Sequence, residues 1–298
     1  KKPALEPLDY RIVVPSRGRV ANMARIQELL PTATIVVDQA EEADYLMEVD
    51  RERLVTHPGR EAGIAGLPMV YNWMVDHFAE DTLVEADDDL VRVQIWTGEG
   101  CRHIWQTLRN PDDILQIIEN GVRIAQDLDI TTFGWAKTGN AAFLRCDHEP
   151  LEPVGLVANV FGVRGAARRR HYNPDMIGRA SVDWTLRTLL NDRCVLIDKR
   201  VFFDCGKIFS GSGGNSGMVT ERKFRLATER LRQSFYRASR AMEADAPQMA
   251  DVSTLPIDGA EGTVKARLYT PLGAGIGAGP GIVFFHGGGF VLGDLESY

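Results

Sequence analysis

Cysteine is scarce in this sequence, with four residues in 298, and no two are spaced as in a CxxC motif. Isolated thiols of this kind argue against a disulfide framework or a zinc site and favour a reducing, cytoplasmic compartment. Long apolar runs are also missing, since stretches such as 281–285 are far too short to span a bilayer. The amino terminus has no basic segment followed by an apolar one, so we expect no secretion signal.

The sequence also has no excess of positive charge. Its formal net charge of -7 at pH 7 argues against a protein that coats nucleic acid indiscriminately, but it allows a local basic patch. The content of 44% hydrophobic and 25% charged residues is typical of a soluble globular protein. No feature points to a membrane or to an obligate protein partner.

Short apolar strands alternate with helical patterns through the first two thirds of the chain. This alternation predicts an α/β fold with a mainly parallel sheet flanked by helices. Strands are predicted at 10–15, 33–37 and 53–56, and helices at 20–30, 67–78 and 111–128. The character of the sequence changes near residue 233, so we predict one domain at 1–232 and a separate tail at 233–298.

Three consecutive aspartates, Asp87, Asp88 and Asp89, follow a strand-like run. Carboxylates at the end of a parallel strand project into the crevice where open α/β sheets bind ligands. Alternate side chains of an extended segment share a face, so Asp87 and Asp89 are predicted to hold a divalent cation. Asp88 is then expected to face the other way, toward a sugar or a backbone amide. A solvated acidic turn is the alternative.

A second group of candidates lies at the end of the first predicted strand. Gly18 permits a tight turn, and the arginines beside it can pair with phosphate or hold a base. A solvated basic turn is the alternative for these arginines, and a turn cap is the alternative for Asp38. The predicted donor-binding residues are Pro15, Ser16, Arg17, Arg19, Asp38, Asp88 and, in a Gly/Ser-rich loop, Asn215.

These segments carry a family resemblance. The strings VPSRGR, ATIVVD, LVTHPG, GIAGLPMVYNW and LVEADDDL resemble GT-A glycosyltransferases of bacteriophages, and they are most similar to the TET-associated DNA glycosyltransferases. The resemblance covers about residues 10–232. It implies a GT-A-like fold, a Mn²⁺ or Mg²⁺ ion and a donor such as UDP-glucose or UDP-N-acetylglucosamine. The implied acceptor is a hydroxymethylated pyrimidine, such as 5-hydroxymethylcytosine, in phage DNA within the host cytoplasm.

Asp183 occupies the place where GT-A enzymes often carry an acidic residue near the acceptor. In an inverting enzyme it would be the general base that takes the proton of the acceptor hydroxyl. In a retaining enzyme it would position a sugar hydroxyl. A carboxylate that stabilises the start of a helix is the alternative without a catalytic role.

The strongest local positive charge lies between residues 164 and 171. An acidic protein needs such a patch to hold the phosphates of a duplex. The predicted DNA-contacting residues are Arg164, Arg168, Arg169, Arg170 and His171. A second clamp on the donor diphosphate and a solvated loop are the alternatives.

The tail resembles a second family. VKARLYTP and IVFFHGGGFVLGDLES are similar to the beginning of hormone-sensitive-lipase-type esterases, in which an HGGG loop stabilises the oxyanion. That family also requires a GxSxG nucleophile, which the sequence does not contain. We therefore expect a truncated or chimeric, partial α/β-hydrolase-like segment without esterase activity.

Two other functions compete with transfer to DNA. One is a glycosyltransferase that acts on a polysaccharide or a protein. The other is a non-catalytic module that binds DNA or a nucleotide sugar.

Overall fold

The computed structural model describes residues 7–98, 105–139, 149–206, 219–243, 247–259, 262–273, 279 and 281–284. The chain divides into two compact units, Lys1–Phe224 and Arg225–Tyr298. The boundary predicted near residue 233 lies inside a helix, Glu221–Glu243.

One sheet of ten strands forms the first unit, counted over the described residues. The strands are β1 (Tyr10–Pro15), β2 (Thr34–Asp38), β3 (Leu54–His57), β4 (Thr82–Ala86), β5 (Arg92–Trp96), β6 (Trp105–Leu108), β7 (Thr132–Ala136), β8 (Leu151–Glu152), β9 (Val160–Arg164) and β10 (Leu196–Asp204). Their order is β3-β2-β1-β4-β9-β7-β10-β5-β6, and β8 pairs with β10.

Parallel pairing dominates the first half of this sheet. Strand β1 pairs in parallel with β2 and β4, and β2 pairs in parallel with β3. Strand β9 then runs antiparallel between β4 and β7, whereas β10 is parallel to β7. All five residues of β4 are buried, as expected for a strand covered on both faces. The predicted α/β fold with a largely parallel central sheet flanked by helices is confirmed.

The helices lie near their predicted positions. They are α1 (Met23–Leu29), α2 (Glu42–Tyr45), α3 (Leu67–His77), α4 (Pro111–Asp127), α5 (Ala180–Asp192) and α6 (Glu221–Glu243). Helix α4 starts where its sequence indicates, because Asn110 caps it by accepting a hydrogen bond from the Asp112 backbone N–H and Pro111 follows the cap. Among the described residues, no helix combines the length and apolar character required to cross a membrane.

The two faces of the sheet carry separate hydrophobic clusters. One cluster packs α1 and α4 against side chains such as Ile12 and Val84. The other packs α3 and α5 against the alternate residues Val13 and Leu83. This alternation places helices on both faces, so the two ends of the strands remain as the places where a ligand can reach the sheet.

The carboxyl ends of several strands meet at one edge, which we call the carboxyl edge. Strands β1 to β4 run in parallel, so Pro15, Asp38, His57 and Ala86 all lie there. Strand β10 runs in the same direction because it is parallel to β7 and two antiparallel steps separate β7 from β4. Its last residue, Asp204, therefore reaches the same edge.

The described part of the second unit consists mainly of α6 from Arg225 onward and an antiparallel hairpin. The hairpin pairs β11 (Met249–Gly259) with β12 (Gly262–Pro271). Several of its apolar side chains are exposed, among them Val252, Leu255, Ile257, Val264 and Leu268. The HGGG segment at 286–289 lies outside the described residues.

Candidate functional site

A buried serine connects the loop after β1 to the aspartates after β4. Ser16 Oγ donates a hydrogen bond of 2.6 Å to Asp88 Oδ2 and lies 2.7 Å from the Tyr45 hydroxyl. The Arg19 backbone N–H donates to the same hydroxyl at 3.0 Å. Gly18, with φ of 62°, supplies the left-handed turn between them. The loop is thereby held against the end of β4.

Asp88 points into this loop, away from solvent. Its side chain is only 7% exposed, and Arg19 Nη1 lies 2.5 Å from its Oδ1. The same nitrogen lies 3.0 Å from Asp89 Oδ2. Asn22 Nδ2 donates to the Asp88 backbone carbonyl at 3.0 Å. Arg19 therefore neutralises part of the acidic triplet, and Asp88 positions the loop.

Arg17 differs from Arg19 in its surroundings. It is half-buried, and its guanidinium makes no hydrogen bond or ion pair with the part of the chain that the structure describes. Pro15, buried at the end of β1, places this loop at the carboxyl edge. Arg17 is therefore the arginine of this loop with donors available for a ligand.

Asp87, Asp89 and Cys205 converge at the carboxyl edge. Their candidate ligand atoms all lie within 4.8 Å of one another. The Asp87 carboxylate has no hydrogen-bond or ion-pair partner among the described residues. Burial, reinforced by the negative charges of Asp89 and Asp88, raises the pKa of Asp87 to about 8, against the opposing effect of Arg19. Among the described residues, no cationic side chain forms an ion pair with this carboxylate.

Hydrogen bonds to backbone carbonyls hold Asp87, Asp89 and Cys205 in this arrangement. The Asp87 N–H donates to the Asn159 carbonyl at 2.9 Å, and Asn159 Nδ2 donates to the Phe203 carbonyl at 2.8 Å. The Val91 N–H donates to the Asp204 carbonyl at 2.7 Å. The ends of β4 and β10 are thus joined on both sides of the aspartate triplet by hydrogen bonds within the protein.

Asp38 caps a turn, which is the alternative to donor binding that its sequence position allowed. Its Oδ1 accepts a hydrogen bond of 3.0 Å from the Ala40 N–H and so caps the short 3₁₀ helix Gln39–Glu41. Its carboxylate packs directly against Gly59, where an added Cβ would lie 2.3 Å from Asp38 Oδ1. The other oxygen, Oδ2, makes no hydrogen bond within the described residues.

Gly59 provides a test of this packing. Gly59→Ala should lower the free energy of unfolding by about 2–3 kcal/mol, because φ of 78° with ψ of -165° excludes side chains and the new methyl group would displace Asp38. Gly63→Ala is the matched control, since Gly63 has φ of 82° but nothing within 4 Å of its added Cβ. It should cost about 1 kcal/mol. Urea unfolding measures both, and equal losses would show that the clash with Asp38 contributes nothing.

Asp183 lies in the first turn of α5, on the carboxyl-edge side of that helix. The last residue of α5, Asp192, accepts a hydrogen bond from Thr131 at the beginning of β7, so α5 runs from the carboxyl edge to the amino edge. Asp183 is 5% exposed, and Arg187 Nε donates to its Oδ2 at 2.9 Å. Burial raises the pKa of Asp183, while the charge of Arg187 acts in the opposite direction.

A buried polar network links α5 to the end of β4. Trp184 stacks on Tyr172 with ring centroids 4.3 Å apart, so this tryptophan is a core residue. The Tyr172 hydroxyl donates to Glu85 Oε2 at 3.0 Å. The Tyr172 backbone is held by the side chain of Asn72 in α3. Because Glu85 precedes Asp87 by two residues, this network places the first turn of α5 relative to the aspartates.

The arginine-rich segment lies at the opposite edge of the sheet. Arg164 ends β9 and pairs with Thr82 at the beginning of β4, because these two strands are antiparallel. Five residues of β4 separate this point from Asp87, a distance of about 15 Å. The alternative that this segment clamps a diphosphate held by Asp87 and Asp89 does not fit this placement.

Three arginines of the segment are engaged within the protein. Arg164 donates to Asp129, Arg170 pairs with Asp192, and Arg168 donates to backbone carbonyls after α3. The carbonyls bound by Arg168 belong to Val75, Phe78 and Glu80. Arg169 is exposed, as is His171, whose Nε2 lies 2.9 Å from Asp76 Oδ1. These two offer the more accessible surface for an external phosphate.

The sequence patterns did not identify Cys205, Asn159 or Tyr45 as parts of the site. Only Cys205 carries a signal, because cysteine is a metal-ligating residue type and follows the apolar run Val201–Phe203. Asn215 lies outside the described residues.

No family model matches the chain. Among curated proteins, it matches carboxylic ester hydrolase LipN of Mycobacterium tuberculosis with 49% identity over 53 residues. That match covers 17% of this chain, and the chain spans about one seventh of LipN, 14% of its length. A partial likeness to an esterase is therefore present.

Solved structures of a mannosyl- and a glucosyl-3-phosphoglycerate synthase are similar to the chain. Mannosyl-3-phosphoglycerate synthase from Rubrobacter xylanophilus has 10% identity and a TM-score of 0.43, with 89% of this chain and 88% of that chain covered. Glucosyl-3-phosphoglycerate synthase from Mycobacterium tuberculosis, in complex with Mn²⁺, UDP and glucosyl-3-phosphoglycerate, has 10% identity and a TM-score of 0.41, with 91% and 94% covered. At these values the likeness assigns no residue a role and no substrate to this chain.

Proposed function

We propose that the first unit is a metal-dependent glycosyltransferase of GT-A type that moves a sugar from a nucleotide-sugar donor to an acceptor hydroxyl. The convergence of Asp87, Asp89 and Cys205 at the carboxyl edge, with Arg17 on the neighbouring loop, carries this proposal. It combines a cation site with a phosphate-binding group at the sheet edge where α/β folds bind ligands.

The candidate ligand atoms at this site fit a divalent cation. Carboxylate oxygens suit Mn²⁺ and Mg²⁺, and the Asp87 carboxylate has no other partner in the described chain. A bound cation supplies Lewis-acid stabilisation of the negative charge that develops on the leaving diphosphate. Asp87 and Asp89 would hold it, while Arg19 keeps Asp88 and Asp89 in place.

The remaining residues of the edge supply contacts for the nucleotide. Arg17 has no hydrogen-bond or ion-pair partner among the described residues, so its donors can bind the diphosphate. Asp38 Oδ2, likewise without a hydrogen bond there, can accept one from a ribose hydroxyl or a base. Ser16 and Asp88 act indirectly by holding the loop. A donor such as UDP-glucose or UDP-N-acetylglucosamine provides all of these groups.

Asp183 is the proposed general base for an inverting reaction. Its carboxylate would take the acceptor hydroxyl proton while the hydroxyl oxygen bonds to the anomeric carbon and the bond to the diphosphate breaks. The raised pKa of Asp183 suits this task, because a more basic carboxylate accepts the proton more readily. Arg187 positions the carboxylate through its hydrogen bond.

The pH dependence of transfer tests this role. Asp183 must be ionised to act, so kcat/KM should rise as pH rises through its pKa. Arg187→Leu removes the charge that lowers this pKa, so the acid limb of the profile should move to higher pH. Arg200→Leu, which removes a surface pair with Asp198, is the control and should leave the limb in place. An unmoved limb in Arg187→Leu would contradict the assignment.

For the acceptor, we propose a hydroxymethylated pyrimidine in DNA. This part of the proposal rests on the sequence resemblance over about residues 10–232. The exposed Arg169 and His171 are the proposed phosphate contacts, since the other basic residues of that segment are engaged within the protein.

Mass spectrometry of modified DNA tests donor and acceptor together. Hydroxymethylcytosine-containing duplexes are incubated with the protein, Mn²⁺ and a panel of nucleotide sugars. We expect a hexose or N-acetylhexosamine mass on the modified base, and none on unmodified DNA. Transfer only to a polysaccharide or protein acceptor would overturn the acceptor, and donor binding without transfer to any acceptor would favour a non-catalytic module.

We assign no step of the chemistry to residues 233–298, so the protein should not hydrolyse a short-chain nitrophenyl ester.

A further inference from the structure

Cys205 lies where the proposed cation site needs a third protein ligand. It follows β10 directly, and its sulfur belongs to the group of ligand atoms within 4.8 Å of one another. Oxygen ligands lie about 2.0–2.2 Å and thiolate ligands about 2.3 Å from a bound divalent ion such as zinc, so two ligands of one ion are at most about 4.5 Å apart. Shifts of a few tenths of an ångström would therefore let one ion contact all three residues.

The position of Cys205 is fixed by its neighbours. Asp204 is held by the hydrogen bond from Val91 and by an ion pair with Arg92 at 2.8 Å, and its Oδ1 accepts a hydrogen bond from the Gly206 N–H at 2.8 Å. The backbone on both sides of Cys205 is thus anchored to the segment that follows the aspartates. A thiol held in this way contributes a ligand at little further cost in conformational entropy.

A purely structural role for Cys205 is the competing explanation. The side chain packs partly against the core cluster beneath α1 and α4, as a small apolar residue does. That explanation accounts for its burial. It also accounts for a hydrogen bond between the thiol and Asp89, whose carboxylate already pairs with Arg19. It gives no reason for the sulfur to lie beside Asp87, whose carboxylate has no hydrogen-bond or ion-pair partner among the described residues.

Building on the proposed function, we propose that Cys205 Sγ is the third protein ligand of the cation held by Asp87 and Asp89. Coordination forms a sulfur–metal bond, and the thiol proton leaves to solvent. The resulting set of two oxygens and one sulfur prefers Mn²⁺, Co²⁺, Zn²⁺ or Cd²⁺ over Mg²⁺, because thiolate is a soft ligand. Metal preference at this site is then set by a residue outside the Asp87–Asp89 segment.

Titration of the full-length protein with Co²⁺ tests the sulfur ligand directly. A thiolate bound to Co²⁺ gives a strong charge-transfer absorption in the near ultraviolet, which carboxylate ligands do not give. We expect this band in the wild-type protein and in Cys194→Ser, a matched control because Cys194 precedes β10 and so lies at the opposite edge of the sheet. Cys205→Ser should lose the band and reduce the affinity for Cd²⁺ relative to Mg²⁺ by about 10-fold or more.

The outcomes separate this inference from the proposed function. A charge-transfer band that survives in Cys205→Ser, or Co²⁺ binding to the wild type without the band, would overturn the sulfur ligand even if sugar transfer is observed. A Cys205-dependent band without sugar transfer would support the ligand and count against the glycosyltransferase. Cys205→Ala, which also removes the sulfur, repeats the comparison if Cys205→Ser unfolds at a lower temperature than the wild type.

Discussion

Asp87→Asn should abolish metal binding and sugar transfer and at the same time make the metal-free protein more stable. The asparagine removes a carboxylate that burial and two neighbouring aspartates disfavour, as the pKa of about 8 shows. We expect the free energy of unfolding to rise by about 1–2 kcal/mol in the absence of metal. Transfer should fall by at least about 1,000-fold, as expected when a group that stabilises developing charge is lost.

Higher metal-free stability combined with loss of metal binding would distinguish the removal of a metal ligand from general damage to the fold. Thermal unfolding in the presence of a chelator measures stability, and calorimetric titration with Mn²⁺ measures binding. Asp44→Asn is the control, because Asp44 is an exposed aspartate in α2, away from the triplet. It should change stability by less than about 0.5 kcal/mol and leave Mn²⁺ binding unchanged. An Asp87→Asn protein that binds Mn²⁺ like the wild type would remove the cation site from the proposed function.

Arg19→Met should destabilise the protein strongly, whereas Arg17→Met should not. Arg19 pairs with Asp88, whose side chain is only 7% exposed, and with Asp89. Removing one partner of such a pair leaves an uncompensated buried charge, which costs about 3 kcal/mol. Arg17 lies two residues away and has no partner in the described chain, so its replacement should change stability by less than about 0.5 kcal/mol.

The same two variants should differ in the reverse sense in donor binding. Arg17→Met should raise the KM for the nucleotide sugar by about 10-fold or more, since a charge-assisted contact to phosphate is worth about 1.5–3 kcal/mol. The double variant Arg19→Met/Asp88→Asn should regain most of the stability lost in Arg19→Met, because no unpaired charge remains on Asp88. If Arg19→Met unfolds at the wild-type temperature, Arg19 does not neutralise the triplet.

The early part of the fold and the aspartate site were accessible from sequence for one physical reason. Strands β1, β2 and β4 are mostly apolar runs, and polar residues end or directly follow them; parallel strands bring these ends to one edge. The prediction of Asp87 and Asp89 as ligands needs only that local pattern. That Asp87 and Asp89 bind a cation remains a prediction.

The later part of the site depended on strand order, which local patterns do not encode. Because β9 runs antiparallel to β4, Arg164 lies far from the aspartates although both segments follow apolar strands. Because β10 runs parallel to β7, Cys205 arrives beside Asp87 from more than 100 residues further along the chain. The contacts of Asn159 likewise join three segments that have no common motif.

The hydrogen bond between Val91 and Asp204 also determines when, during synthesis of the protein, the cation site can form. During synthesis the aspartate triplet leaves the ribosome long before β10, so β1 to β4 can pair while the position of Cys205 is still untranslated. Contacts between residues so distant in sequence form late, because closing a long loop costs entropy that only the completed sheet repays. If Asp87, Asp89 and Cys205 bind one cation as proposed, the three-ligand site would form only after β10 has joined the sheet. Nascent chains would then reach full metal affinity only when the first unit is complete.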